Sequence, residues 1–295
     1  MYTSPLNVTF IILIGAVTGV VGAVLGTGGG VFLIPLLVLG LGVPMHYAVA
    51  TSIVSIIATS SAVASANVER GTANMRLGMT LEVATTIGAI LGGVSAGWIA
   101  ASVLEGGFGF MLLPTAALMW WCSKREIKAA DHSEAPTQIA APFATLDGGE
   151  LGVLGGSYFD EGEQRIVAYR VRRWGAGMAI SFVAGAVSGL LGIGGGIFKV
   201  PALHLVCAIP IKAAAATSNF MIGVTAATSA FLYYGRGEVR PALTAATVIG
   251  VVAGSALGSA LNRRLHSTHV QRVFAALLVA VAMQMLYRAC FAGPG

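Results

Sequence analysis

Two glycine-rich stretches hold most of the chemistry this sequence offers. The first is Gly26-Thr27-Gly28-Gly29-Gly30-Val31-Phe32-Leu33-Ile34-Pro35, and the second is Gly192-Ile193-Gly194-Gly195-Gly196-Ile197-Phe198-Lys199-Val200-Pro201. Each interrupts a long apolar run. Glycine in a helix interior costs roughly 1 kcal/mol relative to alanine, so three in succession predict a break. The helical piece that follows a break starts with free N–H groups and the positive end of its dipole. Such a start attracts anions, and glycine lets a ligand come close to the backbone. Gly28, Gly29, Gly30, Gly194, Gly195 and Gly196 are therefore candidate anion ligands. Close helix packing alone would space small residues by four rather than place them side by side.

Polar side chains in the apolar runs extend this set. The triplets Ala50-Thr51-Ser52 and Ala216-Thr217-Ser218 supply hydroxyls from Thr51, Ser52, Thr217 and Ser218. These could donate to substrate oxygens or bond to their own helix carbonyls. The amide of Asn219 needs a partner, either a ligand oxygen or a neighbouring helix. An ionisable residue inside a membrane is a functional candidate by default. Lys199 is placed to neutralise an anion, and Glu82 and His46 are candidates for coupling to a proton or cation. The histidines show no ligand spacing, so neither a metal nor a cofactor is expected.

The glycine runs lack the third glycine of a dinucleotide fingerprint and the lysine of a P-loop. Gly185-Ala186-Val187-Ser188-Gly189 has the outline of a serine nucleophile loop. No paired base accompanies it, and Gly22 stands at the matching position of the other copy, so an intramembrane enzyme is the remote alternative.

The elements that position these residues read as membrane helices. The chain has 295 residues, of which 56% are hydrophobic and 10% charged, and its mean hydropathy is +0.83. Soluble domains carry about 25% charged residues. Leu6–Leu25, Tyr47–Ala66, Leu81–Leu104, Ala242–Leu261 and Val273–Tyr287 hold almost no charge, and about 20 apolar residues span a bilayer. The alternation of a membrane barrel is absent. Leu6 onward follows no basic segment and reads as a retained span rather than a cleaved leader. The net charge of +5 lies in loops, where it sets topology and does not imply nucleic acid. The three cysteines give no disulfide framework.

The chain also repeats itself. The glycine stretches lie 166 positions apart, and the same offset pairs Pro44 with Pro210, Ala50-Thr51-Ser52 with Ala216-Thr217-Ser218, Arg70-Gly71 with Arg236-Gly237, and Gly88 with Gly254. At that offset Lys199 faces Leu33, and Glu82 faces Val248. The expected fold is an all-α polytopic membrane protein with two homologous halves of about five transmembrane or broken helices each. The site lies where the halves meet.

Residues 1–122 form the first membrane repeat, 123–173 a hydrophilic cytoplasmic linker, and 174–295 the second. Within the linker, Glu150–Val171 alternates like a hairpin. The long span Leu77–Leu104 is expected to turn at Glu105-Gly106-Gly107. Positive-inside counting favours an inverted repeat, with Arg236 and Arg240 counting the other way.

The paired glycine stretches, the Ala-Thr-Ser triplets and the Arg-Gly loops together resemble the TauE/SafE family of sulfite and organosulfonate exporters. The linker, with Ser157-Tyr158-Phe159-Asp160 and Tyr169-Arg170-Val171-Arg172-Arg173, is similar to that family's as well. The resemblance covers nearly the whole chain. It implies a multi-pass protein of the bacterial inner membrane that exports a small sulfur oxyanion, sulfite or an organosulfonate such as sulfoacetate. Import of a sulfonate or another small anion on the same scaffold is the alternative. The implied partners are the small anion, membrane lipid, and a coupling proton or cation.

Overall fold

The computed structural model describes residues 5–25, 29–131, 153–160, 165–262 and 267–291. These are mostly helical. In chain order they form α1 (Pro5–Leu25), α2 (Gly30–Pro35, continued by a π-helical turn Leu36–Gly40), α3 (Met45–Glu69), α4 (Met75–Ala96) and α5 (Ala101–Asp131). The strands β1 (Gly156–Asp160) and β2 (Arg165–Tyr169) follow. Then come α6 (Trp174–Leu191), α7 (Gly196–Leu205), α8 (Ile211–Gly235), α9 (Pro241–Asn262) and α10 (Ser267–Phe291). Among the described residues, four helices, Met45–Glu69, Met75–Ala96, Trp174–Leu191 and Pro241–Gly258, are long and apolar enough to cross a membrane.

Small residues set the main helix pairs. A side chain at Gly88 or Gly92 of α4 would run into the backbone of Phe182 and Ala186 on α6, and one at Gly185 or Gly189 into the backbone of Thr85 and Ala89. The same reciprocal contact joins Gly15 and Gly19 of α1 to Gly250 and Gly254 of α9. Glycines four apart on both partners let the backbones touch, which replaces the hydrophobic drive that lipid cannot provide. Helix α3 packs on α8, and α5 on α10.

Helix ends reveal the directions. Asn74, the N-cap of α4, donates its backbone N–H to Thr217 Oγ1 in the second turn of α8 (2.9 Å). At the far end of α4, Arg236, just past α8, donates to Gly93 O. Arg240 donates to Tyr47 OH in the first turn of α3 (3.1 Å). Helices α4 and α8 therefore run the same way, and α3 runs antiparallel to α8.

The turn after α4 falls at residues 97–100, not at Glu105-Gly106-Gly107, which lies inside α5. Those glycines serve packing instead: a side chain at Gly106 would meet Ala289 of α10, and one at Gly107 would meet Leu191. Helix α5 also runs on to Asp131, past the change to polar composition at position 123.

The hairpin expected in the linker is present, with Gly156 paired to Tyr169 and Asp160 to Arg165. Its Tyr158, Val167 and Tyr169 are buried against Leu77, Leu81, Leu203 and Ile209. Asn74 ties it down by donating from Nδ2 to Leu154 O (2.9 Å). It thus caps the face where α4 and α8 begin.

Candidate functional site

The second glycine stretch breaks the helix as its sequence requires. Helix α6 ends at Gly192, whose N–H closes on Ser188 O (2.8 Å) at φ 70°. Gly194 and Gly195 follow at φ 79° and 70°. This left-handed conformation is open to glycine and strained for other residues. Helix α7 then starts at Gly196. Its first backward bonds run from the amides of Phe198 and Lys199 to Gly195 O (3.2 and 3.1 Å), and among the described residues no backbone carbonyl accepts from the amides of Gly195 or Gly196.

In the first half the corresponding features recur. Gly29 caps α2 at φ 78°, and Phe32 and Leu33 bond back to Gly29 O (both 3.1 Å). Gly28, with Gly26 and Thr27, lies outside the described residues.

Both breaks return the chain to the face it came from: in the first half α1 runs parallel to α9, and α9 begins beside the start of α3, which the chain reaches directly after α2. Arg172 N, before α6, donates to Cys207 O, after α7 (3.0 Å). The loops therefore point inward from opposite faces and meet on the α3–α8 pair. Ser52 of α3 is the meeting point: its hydroxyl lies 3.0 Å from Gly192 O and 3.4 Å from Gly30 O, one carbonyl from each break. A side chain at Gly30 would meet Ile56, one at Gly194 would meet both Ile56 and Ile222, and one at Gly196 would meet Ile222. Those two isoleucines fill the space beside the glycines.

The other hydroxyls divide. Thr51 Oγ1 pairs with Thr244 Oγ1 of α9 (3.4 Å), and Thr217 accepts from Asn74 N. Both brace helices. Ser218, fully buried beside Gly196, is different: among the described residues its hydroxyl is the buried side-chain polar atom that has no hydrogen-bond partner. Asn219 is half-buried on α8.

Lys199 and Glu82 come together. They are the buried charged side chains among the described residues, 1% and 6% exposed. Lys199 Nζ donates to Thr225 Oγ1 (2.8 Å) and stands 3.8 Å from Glu82 Oε2. Thr225 in turn donates to Glu82 Oε1 (2.6 Å), and Thr85 to Glu82 Oε2 (3.2 Å). Lys199 does not snorkel to an interface. It folds back over its own helix start, with Cε beside Gly195.

His46 sits apart, at the far end of α3, with Nε2 3.3 Å from Ala96 O. Sequence reasoning missed Thr225, the bridge of this cluster. It is one of many threonines in the spans, and nothing local separates it from the rest. Ser188, the nucleophile of the remote enzyme reading, is buried within α6.

A family model described as "Sulfite exporter TauE/SafE" matches residues 11–285. A probable membrane transporter protein of Bacillus subtilis, YunE, is 27% identical over 294 residues, covering 97% of this chain and all of that one. A probable membrane transporter protein of Xylella fastidiosa is 25% identical over 277 residues, 93% of each chain. One from Methanocaldococcus jannaschii, MJ0441, is 22% identical over 291 residues, 94% of each. No solved structure matches.

Proposed function

Because the chain belongs to the TauE/SafE family of membrane transporters, we propose that it exports a small sulfur oxyanion, sulfite or an organosulfonate such as sulfoacetate, from the cytoplasm. The observation that carries this reading is the meeting of two glycine-capped helix starts, from opposite faces, on the antiparallel α3–α8 pair. Helix starts of this kind carry partial positive charge and free donors. A compact oxyanion with several acceptor oxygens suits them. The set Gly29, Gly30, Gly194, Gly195 and Gly196, with Ser52, Ser218, Asn219 and Lys199, surrounds the substrate; Gly28, expected in the same set, lies outside the described residues. Thr51 and Thr217 hold the frame around it.

The two halves form an inverted repeat. Support comes from the antiparallel course of α3 and α8, which share the 166-residue offset, and from the exchanged pairing of α1 with α9 and of α6 with α4. The face capped by the hairpin is cytoplasmic. It carries Arg70, Arg76, Arg170, Arg172, Arg173 and Lys212, as the positive-inside rule asks. Arg236 and Arg240 lie on the opposite face, where each is bound locally. Arg236 pairs with Glu238 (3.1 Å) and stacks on Tyr233, and Arg240 stacks on Tyr47. They are fastenings rather than topology signals.

No nucleotide motif is present, so gradients supply the energy. An anion leaving a negative cytoplasm gains about 2.3 kcal/mol per charge per 100 mV. The test is flux in proteoliposomes of the full chain with sulfite, sulfoacetate and sulfate, with and without an imposed potential. Export predicts efflux that quickens when the interior is negative; net accumulation of external substrate under the same potential would favour import. Gly194→Leu should abolish flux, because the φ of 79° and the neighbouring Ile56 and Ile222 leave no room for the side chain. Unchanged flux in that variant, or no movement of any sulfur anion in the unaltered chain, would refute the proposal.

A further inference from the structure

The buried charges, the unpaired hydroxyl and the start of α7 lie within one small volume, and together they say more than that an anion binds. Ser52 and Ser218 occupy matching places on α3 and α8, but only Ser52 has its hydrogen bond. A buried hydroxyl without a partner costs about 1–3 kcal/mol. Ser218 is aimed at Gly196, where, among the described residues, the amides of Gly195 and Gly196 also have no backbone acceptor. The Lys199 side chain lies over the same glycines, yet its ammonium turns away to Thr225 and Glu82. Donors for an anion therefore converge at α7, and the cation that belongs with them is engaged elsewhere.

Resting on the reading of an anion site at the glycine breaks, we propose that Glu82 is the coupling carboxylate. An anion that settles on the Gly195 and Gly196 amides and the Ser218 hydroxyl draws Lys199 off Glu82. Glu82 then takes up a proton from water at one of its Oε atoms, because a buried carboxylate stripped of its cation is strongly destabilised. Release of the anion returns Lys199 to Glu82 and expels the proton.

Among the described residues, Lys199 is the ionisable group that faces Glu82. Glu82 is faced by Lys199 from α7, Thr225 from α8, and Thr85 and Thr86 from its own helix. Helix α6, packed on α4, contains no ionisable side chain. Glu82 and Thr86 also line a groove of about 410 Å³ between α4 and α8, together with the apolar Met79, Val83, Ile87, Phe220 and Val224.

Each anion then travels with one proton. A doubly charged anion still carries net negative charge outward, so the membrane potential continues to drive its export. A singly charged one moves without net charge.

The experiment uses proteoliposomes of the full chain with sulfoacetate, whose charges do not titrate near neutral pH, so that proton movement belongs to the protein. The potential is clamped, a pH gradient is imposed, and an internal pH dye counts protons. The expected result is sulfoacetate uptake driven by an inward proton gradient, with one proton entering per anion. In Glu82→Gln, sulfoacetate exchange should persist while gradient-driven accumulation and acidification are lost. Lys199→Met should lose both modes.

Flux indifferent to the pH gradient in the unaltered chain, or gradient-driven accumulation retained in Glu82→Gln, would overturn the coupling role and leave the anion site standing. The proton count in the unaltered chain decides the matter even if a variant fails to fold. Absence of all sulfoacetate and sulfite flux would overturn the anion reading, and this proposal with it.

Discussion

Replacing Lys199 with methionine offers a stability test that does not depend on knowing the substrate. Nζ stands 3.8 Å from Glu82 Oε2, with both side chains buried. At an effective dielectric of about 20, Coulomb's law gives about 4 kcal/mol for that separation. This agrees with the roughly 3–5 kcal/mol typical of removing one partner from a buried pair. Lys199→Met should therefore lower the unfolding temperature in detergent markedly, since it leaves Glu82 with only hydroxyl donors. Glu82→Gln should also destabilise, by stranding the ammonium.

The double variant Lys199→Met/Glu82→Gln should recover most of the loss, because replacing a buried pair by neutral groups is often close to neutral. Tryptophan fluorescence or light scattering on heating reads all four proteins. Equal stability of Lys199→Met and the unaltered chain would refute the reasoning. So would a double variant as unstable as the sum of the singles, since the two charges would then not interact.

Other outcomes follow from the packing. Ser52→Ala should destabilise by about 1–3 kcal/mol, because the carbonyls of Gly30 and Gly192 lose a shared donor; thermal unfolding measures it, and flux should fall with it. Gly92→Val should prevent assembly of α4 with α6, seen as loss of monodisperse protein on gel filtration, since its side chain would enter the backbone of Ala186. Gly175→Ala, in the first turn of α6 with open space around it, should be neutral or stabilise by about 0.5–1 kcal/mol.

Burial raises the Tyr169 phenol above its usual value of 10.0. The folded state thus holds that proton longer than the unfolded chain does, so docking of the hairpin weakens only as pH rises beyond about 10. Phenolate absorbance should show Tyr169 titrating late, and Tyr169→Phe should remove that step.

Much of this molecule could be read from residue types alone. Membrane class, the helix starts after Gly29 and Gly195, and the hairpin in the linker all follow from local rules: hydrophobic run length, the cost of consecutive glycines, and strand alternation. The turn before α5 did not follow. Glu105-Gly106-Gly107 has turn composition, but tertiary contact with α10 and α6 claims those glycines, so the helix runs through them. Lys199 and Glu82 each stood out as a charge whose counterpart at the 166-residue offset is apolar. That they are partners required knowing that α4, α7 and α8 converge. The same holds for Ser218, whose missing hydrogen bond exists only in three dimensions.

The exchange of glycine faces between the ends of the chain bears on biogenesis. Gly15 and Gly19 dock on α9 around Gly250 and Gly254, which leaves the ribosome only after α2 to α8. Until then α1 must wait in the bilayer with its contact face open to lipid or to a chaperone. A chain truncated before α9 would hold an unfinished first half, so neither half can be expressed alone as a miniature of the whole.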